Sequence, residues 1–126
     1  MRCLLRASIR NATVTRVADP ADGFVRIDEV LLHAAGILSL EEVDVVVLAT
    51  GGRFRSVAVA SACGSGEVAV ATGERNPVRT GDRVAIQAFG YLHDGQTIAH
   101  AARVVTVGAR NELLDAAEVP AAARER

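Results

Sequence analysis

Residues 22–38 read DGFVRIDEVLLHAAGIL, and this stretch contains a turn, a strand, a helix and the signals that separate them. Asp22-Gly23 is a tight-turn pair. Phe24, Val25 and Ile27 flanking Arg26 read as a short strand. Asp28 then stands where a helix N-cap belongs, its carboxylate able to accept from the first free backbone N–H groups of EVLLHAA. Gly36 lies just past the end of that segment, where a left-handed residue closes a helix. A strand that runs straight into so short a helix predicts a sheet carrying helical decorations.

The flanking sequence gives more strands than helices. RCLLRASIR (2–10) and ATVTRVA (12–18) mix apolar and polar positions at strand period. VDVVVLA (43–49) is nearly all apolar, as a strand covered on both faces would be. TGGRF (50–54) is a glycine turn leading into RSVAVASA (55–62), and the pair reads as a β-hairpin. EVAVA (67–71), DRVAIQAF (82–89) and ARVVTV (102–107) complete the set. DGQTIAHAA (94–102) predicts one or two helical turns. Residues 115–126, rich in Ala and Glu, are expected to form a flexible or helical tail beyond a single domain over 1–114.

The chain has 126 residues, half of them hydrophobic but only 3% aromatic, with no Trp. A core built from Val, Ala, Leu and Ile favours strands. The net charge is -1 and the charges are interspersed. Without a basic stripe or stacking aromatics, no nucleic-acid partner is expected. No apolar run is long enough for a membrane span. With only Cys3 and Cys63, no disulfide framework is expected, and the reading is a cytoplasmic protein. Cys63 is expected to be buried packing. All 14 basic residues are arginine, so no side chain can form a Schiff base with a carbonyl substrate or cofactor. No HxxxH, CxxC or paired-carboxylate spacing points to a metal site, and none is expected.

In order along the chain, DGFVRIDEVLLHAAGIL, VDVVVLATGGRFRSVAVA, GSGEVAVATGE and TGDRVAIQAF resemble the aspartate 1-decarboxylase family, from about Arg2 to about Leu114. The IDxxLLxAAGI and GxRFxS segments are the most specific. The resemblance implies a six-stranded double-psi β-barrel with short helices. It also implies a homotetramer with sites between subunits. In the family, a Gly-Ser bond cuts itself and leaves an N-terminal pyruvoyl group, the electron sink for decarboxylation.

This chain departs from the family at that bond. Gly23 falls on the family's glycine and Phe24 on its serine, so the former processing site has no hydroxyl to attack or eliminate, and no pyruvoyl is expected. The substrate-binding lysine aligns with Ser8 and the proton-donating tyrosine with Val57. An Asn-Gly pair aligns with Ala71-Thr72, or with Thr72-Gly73 if the register slips by one. The carboxylate-gripping arginine is kept as Arg53, the threonine beside it becomes Ser56, and Thr15 matches a second-strand threonine. These changes shrink side chains and remove a charge. They imply a wider, more apolar cleft that suits a larger, less charged small molecule than aspartate, with Phe24 as an aromatic wall. Plain packing for Phe24 and a structural ion pair for Arg53 are the alternatives.

Candidates for acid–base work are Tyr91, His93 and Asp22. Tyr91 and His93 share a strand face if the strand continues that far, Asp22 adjoins the old cleavage point, and an ordinary turn is the simpler reading of each. His33 and His100 fall on the short helical segments. Three functions compete. One is a pyruvoyl-independent enzyme, of cyclase, isomerase or lyase type, in natural-product biosynthesis. Another is a non-catalytic ligand-binding or regulatory paralogue. The last is an aspartate 1-decarboxylase with atypical processing, for which Ser65, the one serine that follows a glycine, is more simply part of a hairpin turn.

Overall fold

A computed structural model describes residues 1–73 and 77–122. The strands are β1 (Arg2–Thr13), β2 (Arg16–Ala18), β3 (Phe24–Asp28), β4 (Glu42–Val47), β5 (Arg53–Ser61), β6 (Val68–Ala71), β7 (Arg83–Leu92), β8 (Ala101–Val107) and β9 (Leu113–Pro120). One helix, α1, spans Glu29–Ala35, and 3-10 turns cover Pro20–Asp22 and Asp94–Ala99. The fold is mainly β, a double-psi β-barrel with short helices, with nine strands among the described residues rather than the six expected.

The strands join in the order β2-β6-β3-β5-β4-β7-β1-β8-β9. Parallel pairs (β1 with β8, β2 with β6, β3 with β5) are interleaved with antiparallel ones. Sequence-distant segments are therefore neighbours, which is how Gly23 comes to lie beside β5 and β6. The core is aliphatic and follows strand period. Val43, Val45 and Val47 of β4 and Val84, Ile86 and Ala88 of β7 point inward with Val25 and Ile27 of β3. The β4–β5 hairpin forms as expected, with Gly51 in its turn at φ 73°.

Helix α1 has its expected boundaries. The Asp28 side chain accepts from Val30 N, and Gly36 at φ 71° ends the helix while Leu31, Leu32 and Ala35 are buried. Among the described residues, no helix is long and apolar enough to cross a membrane.

Two expectations are corrected. The tail is neither helical nor flexible over 113–120: it is β9, antiparallel to β8 from Val107↔Leu113 to Ala101↔Pro120. The free edge of β8 supplies backbone partners that outweigh the helix propensity of Ala and Glu. Cys63 is exposed rather than buried, as is Cys3, because residue 63 sits in the turn after β5.

Candidate functional site

Strands β3 and β5 run parallel in the register Phe24↔Val57 to Asp28↔Ser61. A cleft of about 170 Å³ opens at the Phe24 end. It is lined by Gly23, Phe54, Arg55, Ser56, Ala71, Thr72 and Gly73. Gly23 closes the 3-10 turn at φ 70°, a conformation that strains any residue with a Cβ. Its carbonyl accepts from Ser56 Oγ at 3.3 Å. Val78 N donates to Thr72 Oγ1 at 2.9 Å, and Thr72 N donates to Ala18 O at 3.3 Å, which fixes the lip of the cleft against the chain leading to Gly23.

Of the residues expected at the site, Gly23, Ser56 and Thr72 meet in this cleft. Phe24 begins β3 beside it, half-buried, with Val57 opposite on β5. Ser8 is buried on β1, paired with Gln87 of β7 and Val104 of β8. The remaining candidates are not among the described residues that line the cleft. Thr15 bridges the chain before β2 to β6: its Oγ1 donates to Val68 O at 3.1 Å and accepts from Val68 N at 3.0 Å. Asp22 is exposed, 4.0 Å from Arg26. His93 is exposed at the start of the second 3-10 turn, its backbone N–H donating to Gln96 Oε1. Tyr91 is 74% exposed. His33 is exposed, and His100 Nε2 lies 2.8 Å from Leu5 O.

Arg53 does not line the cleft. Its Nη1 donates to Asp44 Oδ2 at 3.0 Å and to Gln87 Oε1 at 2.9 Å, across β5, β4 and β7. Among the described residues, the charged group that does line it is Arg55, two positions on, which also borders a second cleft of about 200 Å³ with Cys3, Glu41, Glu42, Val43, Asp44, Phe89 and Tyr91. Sequence reasoning passed over Arg55. The available signal was the Arg53/Arg55 alternation on one face of β5, facing the Glu42/Asp44 alternation on β4.

Opposite the open end, the same strand pair closes on a buried carboxylate. Asp28 is 4% exposed. Besides capping α1, it accepts from Gly64 N at 2.9 Å and Gly66 N at 2.8 Å. Burial raises its pKa, but the N–H groups of Gly66, Val30 and Gly64 outweigh that and hold it below 3.8. Ser65 lies within this anchored turn, its Oγ accepting from Glu67 N at 3.2 Å. Asn111, 1% exposed, ties the turn to β1: its Nδ2 donates to Thr13 O and Gly66 O, and its Oδ1 accepts from Thr13 N.

A pyruvoyl group at the cleft would need a hydroxyl or thiol on the residue after Gly23, and Phe24 offers neither. Among the described residues no three His, Cys, Asp or Glu side chains are grouped to hold a metal ion.

The aspartate decarboxylase family profile matches residues 1–114. The chain is 35% identical over 114 residues to aspartate 1-decarboxylase of Phenylobacterium zucineum, covering 90% of this chain and 97% of that one. It is 33% identical over 110 residues to the aspartate 1-decarboxylases of Xanthomonas oryzae pv. oryzae and Xylella fastidiosa, in each case covering 87% of both chains. A rationally designed protein of known crystal structure is 22% identical, with a TM-score of 0.46 over 66% of this chain and 91% of its own. By the match over 1–114 and by these identities, the chain belongs to the aspartate decarboxylase family.

Proposed function

We propose that this chain acts without a pyruvoyl group and binds, in the cleft beside Gly23, a small molecule larger and less charged than aspartate. One observation carries this reading: the residue after Gly23 is Phe24, so the N-to-O acyl shift that would begin self-cleavage has no attacking atom. The cleft lining points the same way. Its described side chains supply two hydroxyls, Ser56 and Thr72, one guanidinium, and otherwise apolar or glycine surface. A dicarboxylate needs more compensating charge than this, because Arg53 is already committed to Asp44. Such a cleft favours reactions governed by shape, orientation and a few hydrogen bonds, of the lyase, isomerase or cyclase type. The working unit is a homotetramer, with the neighbouring subunit completing the cleft.

Denaturing intact-mass spectrometry tests the central step. The expected result is one species near 13.2 kDa, and no β-alanine on incubation with aspartate. Two fragments, the larger blocked at its N-terminus, would overturn the reading, and a cut at Gly64-Ser65 would point to relocated processing. A ligand-binding relative without catalysis is the second reading. It is favoured by the lack of any carboxylate, imidazole, thiol or phenol among the described lining residues. Recovery of a small molecule bound and unchanged after prolonged incubation would select it.

A further inference from the structure

Resting on the reading above, we propose that Arg55, rather than Arg53, holds the anionic group of the bound molecule, and that this molecule is a monocarboxylate with an apolar body. The two arginines sit on one face of β5 but differ in what already holds them. Arg53 Nη1 lies at hydrogen-bond distance from both Asp44 Oδ2 and Gln87 Oε1, at 3.0 and 2.9 Å. The Asp44 side chain is only 18% exposed, so turning Arg53 toward a ligand would strand a shielded carboxylate. Arg55 has looser ties. Among the described residues its ion pairs are made from Nε, to Glu42 Oε1 at 3.5 Å and Asp44 Oδ1 at 3.8 Å, with the side chain 71% exposed. Contacts of that length and exposure contribute little, so a carboxylate can replace them at small cost. The guanidinium keeps its outer edge for bidentate contact.

The charges on either side of Arg55 orient the ligand. On the Gly23 side no described lining residue is acidic, whereas the second cleft carries Glu41, Glu42 and Asp44. An anion is therefore favoured beside Ser56 and disfavoured beyond Arg55. The second cleft also presents Phe89 and Tyr91, surface against which an uncharged body can lie.

The test is a titration of the full chain with 3-phenylpropionate and with L-aspartate, followed by amide chemical shifts. Saturable shifts at Gly23, Ser56 and Gly73 are expected with 3-phenylpropionate. Arg55→Gln is expected to weaken binding about tenfold, the scale of one charge-assisted contact. Arg53→Gln is expected to leave it within about twofold, with thermal unfolding confirming that both variants are folded. The proposal is overturned if 3-phenylpropionate does not bind, if R55Q binds as the parent does, or if R53Q loses as much as R55Q. If aspartate binds as tightly as 3-phenylpropionate and R55Q weakens both, the assignment of Arg55 stands and the preference for a larger, less charged substrate falls.

Discussion

The two ends of the β3–β5 strand pair are built differently. At the Asp28–Ser61 end, a buried carboxylate takes three backbone N–H groups, a buried asparagine ties the same turn to β1, and Gly66 fits so closely that a Cβ there would lie 2.9 Å from Arg110 O. At the Phe24–Val57 end, one long hydroxyl contact reaches Gly23 O, and a cleft opens. The closed end fixes where the strands sit, which leaves the residues of the open end free to change without loss of the barrel. Phe24 follows Gly23 at this open end, and the strand register from Phe24 onward continues unbroken.

The sharpest way to break this contrast is at Asp28. Asp28→Ala leaves Gly64 N and Gly66 N without their acceptor and removes the cap of α1, a combined loss of about 3–5 kcal/mol. Urea unfolding measures it. A loss below about 1 kcal/mol would mean that the two ends are not energetically distinct. The parent protein tests the same point through pH. Asp28 has its pKa depressed in the folded state, so between the folded and unfolded values the unfolded chain binds more protons and stability rises with pH. Its contribution is complete above the unfolded pKa near 3.8 and is lost as the pH falls through the lower, folded value. The expected signature is a stability decline below pH 3.8 that is absent, or much shallower, in the Asp28→Ala variant.

A smaller effect is expected at the open end. Phe24 is half-buried against β5, so Phe24→Ala removes part of an aromatic contact surface, with a cost of about 1–2 kcal/mol. Thermal unfolding measures it. A cost equal to that of Asp28→Ala would identify Phe24 as core packing and would mean that the two ends are held equally firmly; the aromatic ring that lines the cleft is Phe54 rather than the expected Phe24.

The closed end was half legible in the sequence and the open end less so. Asp28 was readable as the cap of α1 because capping is local: one carboxylate, one N–H two residues on. Its bonds to Gly64 and Gly66 were hidden because they depend on the parallel pairing of β3 with β5, which no local pattern encodes. Asn111 was missed for the same reason, being 98 residues from Thr13. At the open end Gly23, Ser56 and Thr72, which the family resemblance grouped, line one cleft. The resemblance gave Arg53 the role of gripping a carboxylate, with a structural ion pair as the alternative; the partners Asp44 and Gln87 depend on cross-strand register. The tail was misread because Ala and Glu favour helices, and only the exposed edge of β8 decides otherwise.

The smallest expected effect separates backbone from side chain at the closed end. Asn111 grips Thr13 entirely through main-chain atoms, its Oδ1 on Thr13 N and its Nδ2 on Thr13 O. The Thr13 hydroxyl itself is buried and has no hydrogen-bond partner among the described residues. Thr13→Val keeps the shape and both backbone bonds and removes the cost of an unpaired polar atom. It is expected to be neutral or stabilising by up to about 1 kcal/mol, read as a rise in the urea midpoint with an unchanged slope. A loss of more than 1 kcal/mol would show that the hydroxyl has a partner, and that the closed end is held by side chains on both strands rather than by Asn111 and Asp28 reaching across to backbone.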